Sequence, residues 1–258
     1  QPTAAEAATA AGIAVLALGL IAALHVWATH RSLTEPRRMQ NLLQRVVDPW
    51  QRVTLQRLVS RQSYAPGAIT EVPRPNGRAP RDAEWQRLAD VGFEGFRFEI
   101  GGLVERPQGL DPDELRSMSP VTQTTRHVCI QGWNQVATWT GVPLAALLER
   151  AGPLPEARFM LFHTFDDKWE EPGDHGYFYE TVDLDLARHP QSILAYAITG
   201  QPLPIPFGAP LRVRLESQLG YKMAKYLRSI ELVSDLAPFG DGKGGYWEDR
   251  GYEWYAGI

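Results

Sequence analysis

The chain has 258 residues, of which 44% are hydrophobic and 22% charged, and this composition excludes intrinsic disorder for most of its length. Its formal net charge of −4 is unevenly placed: residues 31–61 hold seven arginines and a net charge of +5, so residues 62–258 carry −8. An acidic folded region argues against a nucleic-acid-binding protein, whose basic patch normally lies on the folded domain. The single cysteine, Cys129, excludes an intrachain disulfide and a zinc cage built from cysteines.

Residues 1–30 are predicted to form a transmembrane helix. The stretch from Ala7 to Leu24 contains no charged residue and continues to Trp27 with only a histidine interrupting it, which is the length that a bilayer-spanning helix needs. Its many alanines and glycines suit close packing against another membrane helix, so other integral membrane proteins are the expected partners of this helix. The arginines that follow the span would place the rest of the chain in the cytoplasm by the positive-inside rule.

Residues 31–80 are predicted to be a basic amphipathic neck followed by a strap rich in proline and glycine. Residues 38–60 fit an amphipathic helix with a break near Pro49, and Arg38, Arg45 and Arg52 recur on another face. That face either contacts lipid headgroups or an acidic partner, or is simply a solvated charged face, and both interpretations stay open. Residues 64–80 lack the periodicity of a regular element.

Residues 81–235 mix short strand-like and short helical patterns, which predicts an α+β domain. The strand-like runs are 96–100, 158–165, 211–215 and 229–233, and the helical patterns are 143–151 and 182–188. Residues 236–258 are rich in glycine and aromatic residues and are predicted to pack as an extended C-terminal strap. Residues 240–245 match G-x-G-x-x-G, but the strand–turn–helix context of a dinucleotide site is missing, so that site is not expected.

The most informative stretch is HVCIQGWNQVATWTGVPLAALL, residues 127–148, in which Cys129 precedes Trp133, Trp139 and the run Gly-Val-Pro-Leu that ends at Leu144. Further motifs follow in order: FHTFDD (162–167), HPQSILAYAITGQPLP (189–204), GAPLRVR (208–214) and GYKMAKYLRSIELV (220–233). Together they resemble the sulfite oxidase family of molybdopterin-dependent oxidoreductases, in particular the branch near the periplasmic methionine sulfoxide reductase catalytic subunit. The resemblance implies a sulfite-oxidase-type molybdopterin-binding fold preceded by one transmembrane helix.

The resemblance also implies a set of site residues. Cys129 would hold molybdenum, and thiolate sulfur is a soft donor suited to such a metal. Because the pterin carries a phosphate, basic residues are expected near it. The cofactor-contact positions implied are Thr164, Arg212 and Lys225, with the backbone around Met223 and Ala224; Asn76 is added for its N-G context, Lys222 serves either the cofactor or the core, and Arg126 lies beside the entrance, where it could steer an anion.

Three positions depart from the family pattern: Phe207 stands where relatives have a cofactor-contacting Asn or His, Met223 where they have His, and Gln131 where an acidic residue is common. Two hypotheses therefore stay open. The chain is either a membrane-anchored molybdopterin oxidoreductase subunit that transfers an oxygen atom and exchanges electrons with a cytochrome, or a cofactor-free accessory subunit of a respiratory or photosynthetic membrane complex. The resemblance implies a periplasmic domain, against the local arginine count, and integral membrane redox subunits as the partners that contact the N-terminal helix.

Overall fold

The computed structural model describes residues 4–34, residues 46, 47, 49, 50, 53 and 54, residues 61–167 and residues 176–257. Two compact units divide the chain, residues 1–51 and residues 52–258. The amphipathic helix predicted over 38–60 falls largely outside the described residues.

The first unit contains α1 (Ala4–Thr34), a helix of 31 residues. Within it, Gly12–Arg31 has a mean hydropathy of 2.0, which makes it long and apolar enough to cross a membrane. Its large apolar side chains are exposed, and Leu16 is 75% accessible. This apolar surface is what a lipid bilayer or another apolar helix would cover.

The second unit is built on two five-stranded sheets. In the first sheet, only the β1–β10 pair is parallel. Its strands, in spatial order, are β2 (Gln108–Leu110), β1 (Phe98–Gly102), β10 (Leu227–Val233), β5 (Phe159–Asp167) and β6 (Tyr177–Asp183). The inward-facing residues of this sheet, such as Phe98, Phe162 and Ile230, belong to the main hydrophobic core.

The second sheet is antiparallel throughout. It runs in the order β3 (Val121–Val128), β4 (Asn134–Pro143), β7 (Ser192–Ile198) and β8 (Gln201–Pro202), and β9 (Arg212–Leu215) also pairs with β7. A smaller apolar cluster centred on Trp139 packs on this sheet. Because β3 and β4 form a hairpin, the loop that carries Cys129 lies at one end of the sheet.

The described part of the unit also contains four short α-helices: α2 (Ala83–Asp90), α3 (Pro112–Ser117), α4 (Leu144–Ala151) and α5 (Leu184–Ala187). Local sequence explains their ends. The Asp111 side chain accepts from the backbone N–H groups of Asp113 and Glu114, and the Glu114 side chain accepts from the backbone N–H of Asp111. These bonds form a capping box. At its C-terminal end, α4 is terminated by Gly152, which adopts the left-handed conformation.

The predicted strand-like runs and helical patterns agree with these bounds to within two residues at each end. The helix predicted over 182–188 begins at Leu184, because Val182 and Asp183 still belong to β6. Asp183 ends the strand and caps the helix by accepting from the backbone of Leu186.

Candidate molybdopterin site

The cysteine loop is a tight turn between β3 and β4. Cys129 donates its backbone N–H to the carbonyl of Trp133 at 2.9 Å and accepts from Gly132 at 3.1 Å, and Gly132 adopts φ +84° to close the turn. The Cys129 side chain is buried. Its sulfur has only long polar contacts among the described residues, 3.9 Å to Asn76 Nδ2 and 4.0 Å to Gln131 Oε1. Such a thiol is held in place without being committed to a strong partner.

Asn76 joins the cysteine loop to Lys225. While its side-chain amide faces the sulfur of Cys129, its backbone carbonyl accepts from Lys225 Nζ at 2.5 Å. The same ammonium reaches the carbonyl of Pro206 at 3.3 Å. A Cβ atom at Gly77 would lie 3.7 Å from Lys225 Nζ. The proline- and glycine-rich strap therefore brings Cys129 and Lys225 together, although they are far apart in sequence.

Arg212 joins this cluster through Gly208. A Cβ atom at Gly208 would lie 2.9 Å from the Lys225 Cβ and 3.3 Å from the Arg212 Cβ, and its φ of +112° favours glycine. Arg212 Nη1 donates to the carbonyl of Phe207 at 3.0 Å. Within the described residues, its buried Nε has no hydrogen-bond partner. Burial, together with Arg214, lowers the pKa of Arg212 to about 9, so the group is still a cation at neutral pH.

A second buried network, formed by Arg214, Glu216 and His127, lies next to Arg212. Arg214, fully buried, donates to both oxygens of Glu216 at 3.1 and 2.8 Å and to His127 Nδ1 at 2.9 Å. Burial, followed by the nearby Arg214 and Arg212, holds the pKa of His127 well below its usual value. His127 is therefore neutral and its Nδ1 is an acceptor. The guanidinium groups of Arg212 and Arg214 both lie against the ring of Trp139, at 4.8 and 4.4 Å from its centroid.

Three predicted site residues have other surroundings. Lys222 is buried, and its ammonium donates to Glu180 and Glu248 rather than to a member of the cluster around Cys129. Thr164 donates its hydroxyl to the carbonyl of Phe178. Arg126 is exposed on β3, where its guanidinium lies 5.9 Å from the ring of Tyr64. Among the described residues, no hydrogen bond links any of the three to Cys129.

The positions that depart from the family pattern take part in local packing. Phe207 is half-buried against the apolar cluster around Trp139. Met223 is buried, and its sulfur accepts from Arg214 Nη1 at 2.9 Å. Gln131 accepts from the indole of Trp133 at 3.1 Å. The carbonyl of Ala224 accepts from the backbone of Val213 at 2.9 Å, which fixes the segment beside the cluster.

Sequence reasoning missed the network of Arg214, Glu216 and His127. One signal was available: Arg212, Arg214 and Glu216 are spaced by two residues, so on a strand they share a face. Three charged residues on one face of an otherwise apolar strand indicate that the face is either exposed or internally paired. His127 offered no such signal, because its partner is 87 residues away.

Comparison with known proteins decides the family. The model of the oxidoreductase molybdopterin binding domain matches residues 86–238. This chain belongs to that family. YedZ1 of Azospira oryzae, described as a candidate protein-methionine-sulfoxide reductase subunit, is 36% identical over 170 residues, which are 66% of this chain and 59% of that protein. The protein-methionine-sulfoxide reductase catalytic subunit MsrP of Ralstonia nicotianae is 35% identical over 150 residues, 55% of this chain and 45% of that protein.

The chain thus spans about half the length of the curated relatives it matches. Among solved structures, the sulfane dehydrogenase SoxCD from Paracoccus pantotrophus aligns with a TM-score of 0.47 at 21% identity, covering 54% of this chain and 38% of that chain. The predicted family and fold class are confirmed by the family match.

The residues present fit a phosphate-bearing cofactor whose metal is bound by a thiolate. Arg212 is a buried cation whose Nε lacks a partner within the described part of the chain, and Lys225 adds a second cation beside it. Cys129 offers a buried sulfur with no short hydrogen bond. No group of three or more His, Cys, Asp or Glu side chains that could hold a metal exists among the described residues.

Proposed function

We propose that this chain is a membrane-anchored, molybdopterin-dependent oxidoreductase subunit that transfers an oxygen atom and exchanges electrons with a cytochrome. The observation that carries the proposal is the convergence of Cys129, Asn76, Lys225 and Arg212 through contacts of 2.5–3.9 Å and the shared neighbour Gly208. When bound, the molybdenum cofactor supplies the two-electron oxygen-atom transfer.

The residues of this chain would have distinct roles. Cys129 would bind the metal through its thiolate. Arg212 and Lys225 would bind the phosphate, for which a guanidinium gives two directed donors and an ammonium a compact charge. Asn76 would hold the strap against both the sulfur and Lys225, because its side chain and its backbone face different members of the cluster. Trp139 would support Arg212 from behind.

A sulfoxide is the substrate class that the relatives support. Two of them carry the name protein-methionine-sulfoxide reductase, one as catalytic subunit and one as a candidate subunit. Reduction of a sulfoxide consumes two electrons and two protons and releases a thioether and water. The electrons would come from a cytochrome partner in the membrane, and α1 would keep the domain beside that partner, with the domain on the periplasmic side.

Elemental analysis of the full chain purified from membranes tests this function. We expect about one molybdenum per chain in the natural protein and none in Cys129→Ser, because a neutral hydroxyl is a poor replacement for a thiolate ligand. A matched control, Ser192→Ala, changes a buried hydroxyl whose bond to the carbonyl of Leu186 is remote from the cluster. Stoichiometric molybdenum in Cys129→Ser would contradict the assignment of the ligand.

A cofactor-free accessory subunit is the second candidate function. It is favoured by Phe207, whose ring packs on the apolar cluster around Trp139, next to Arg212. Under this alternative, the natural protein contains no molybdenum even when cells are supplied with it, and Phe207→Asn restores metal uptake. A natural protein that already holds the metal excludes it.

A further inference from the structure

Lys222 lies at the centre of a buried group of three charges. Its ammonium donates to Glu180 Oε1 at 2.5 Å and to Glu248 Oε1 at 2.6 Å, and all three side chains are 0–1% exposed. The second oxygen of each carboxylate is buried without a hydrogen-bond partner among the described residues. Burial, followed by the charge of Glu248, raises the pKa of Glu180 well above its usual value.

These charges join the C-terminal strap, residues 236–257, to β6. Glu248 belongs to the strap, and Glu180 forms an isolated bridge with Gly245 of the strap. Tyr246 donates its backbone N–H to the carbonyl of Tyr179 at 3.0 Å. A Cβ atom at Gly245 would lie 2.7 Å from Glu180 Oε1 and 2.0 Å from Glu248 Oε2. The strap can approach both carboxylates this closely only because residue 245 is a glycine.

Residues 219–225, here called the connector, contact the strap on one side. Leu219 donates its backbone N–H to the carbonyl of Ala256 at 2.7 Å, and the Tyr221 hydroxyl donates to the carbonyl of Glu253 at 2.5 Å. Lys222 adds the ion pair with Glu248. Successive contacts with the strap thus fix the first half of the connector.

The second half of the connector contacts the candidate cofactor site. Met223 accepts from Arg214 through its sulfur, the carbonyl of Ala224 accepts from Val213, and Lys225 donates to Asn76. Lys222 directly precedes these three residues in the chain. A displacement of its ammonium would therefore be passed to the site through a single peptide segment.

We propose that Lys222, Glu180 and Glu248 act as positioning residues that couple the C-terminal strap to the connector and so hold Met223, Ala224 and Lys225 in place for the cofactor. The last clause rests on the proposed function. None of the three charged groups touches the cofactor cluster in the contacts described. Their effect on the site passes through the backbone of the connector.

Hydrogen exchange on the full-length protein in detergent, without added cofactor, tests the coupling. The informative amides are those of Val213 and Met223, which donate to Ala224 and Gly220 within or against the connector. We expect Lys222→Met to raise their exchange rates about tenfold, because two carboxylates lose their cation and local opening becomes easier. Amides between β1 and β10 should keep their rates.

Two further variants make the result specific. Glu180→Gln keeps the volume of the side chain and an oxygen that can accept from Lys222, so we expect exchange within about twofold of the natural protein. Lys243→Met removes an ammonium from the strap outside the group and should leave the connector unchanged. If Lys222→Met does not fold, Glu248→Gln replaces it, with a smaller increase of about threefold expected at the same amides.

The outcomes separate coupling from a general loss of stability. Faster exchange confined to the connector and Val213 supports the proposal, whereas faster exchange everywhere, or no change at Val213, overturns it. On protein loaded with cofactor, we expect Lys222→Met to lose molybdenum about tenfold faster during dialysis. Unchanged metal loss in a variant with a loosened connector overturns the link to the cofactor. A natural protein without molybdenum refutes the proposed function, and the exchange experiment still decides the coupling.

Discussion

The chain between residues 212 and 222 contains two kinds of buried cation, one paired with carboxylates and one not. Arg214 and Lys222 each meet carboxylates at 2.5–3.1 Å, whereas Arg212 meets the carbonyl of Phe207 and leaves its Nε without a partner among the described residues. A charge that is fully paired by the protein contributes to the fold and offers nothing to a ligand. A buried charge without a counterion carries an uncompensated desolvation penalty, which a bound anion would relieve. The difference distinguishes structural from ligand-binding basic residues in this domain.

The largest expected effect comes from removing a cation that is paired with a carboxylate. Arg214→Met leaves Glu216 buried without its main partner and should lower the free energy of unfolding by about 3–5 kcal/mol. Urea denaturation of the full chain followed by circular dichroism measures this loss. The double variant Arg214→Met/Glu216→Gln should recover most of it, because no lone charge remains. A single variant with less than ~1 kcal/mol of loss would show that the pair contributes little.

Removing the unpaired cation, Arg212, should affect molybdenum content more than stability. Arg212→Met is expected to change the free energy of unfolding by less than about 1 kcal/mol, since it removes one hydrogen bond together with one uncompensated buried charge. Molybdenum content should fall at least about tenfold, because the phosphate would lose its guanidinium. Elemental analysis and urea denaturation on the same preparation measure both quantities. Stability loss as large as that of Arg214→Met would erase the distinction.

The smallest expected effect is a pH dependence that comes from Glu180. Its pKa is raised, so its contribution to stability is complete below the ordinary pKa of a glutamic acid and is lost as the pH rises through the raised value. The charged or titratable groups facing it are Lys222, Glu248, Tyr179 and Tyr221, and the pKa values of both tyrosines are raised, which keeps them protonated. We expect the free energy of unfolding to fall as the pH rises above the ordinary pKa of a glutamic acid, and Glu180→Gln to flatten this slope. Urea denaturation at several pH values decides whether the slope exists and depends on Glu180.

Local signals predicted much of the fold. The apolar run in α1, the strand-like runs and the α4 pattern each depend on residues close in sequence, and the structure places elements there. The ordered motifs around Cys129 also indicated a shared site with Arg212 and Lys225, and these three residues do come together. Whether they bind a cofactor stays a prediction.

The role of Lys222 could not be read from sequence. Its partners Glu180 and Glu248 are 42 and 26 residues away, and nothing in the local pattern distinguishes it from Lys225, three positions later. Lys222 contacts Glu180 and Glu248, whereas Lys225 contacts the carbonyl of Asn76. This difference depends on tertiary packing. Arg126 alternates with the buried His127 along β3, so its side chain faces solvent beside Tyr64, and its place near an entrance stays a prediction.

The contact of two guanidinium groups with the ring of Trp139 gives the protein a built-in optical reporter. Its indole is fully buried and lies 4.8 Å from Arg212, so a change in the electric field at that cation should shift its emission. Subtracting the spectrum of a Trp139→Phe variant isolates this one fluorophore from the other seven tryptophans. Occupancy near Arg212 could then be followed in real time, without labels and without turnover.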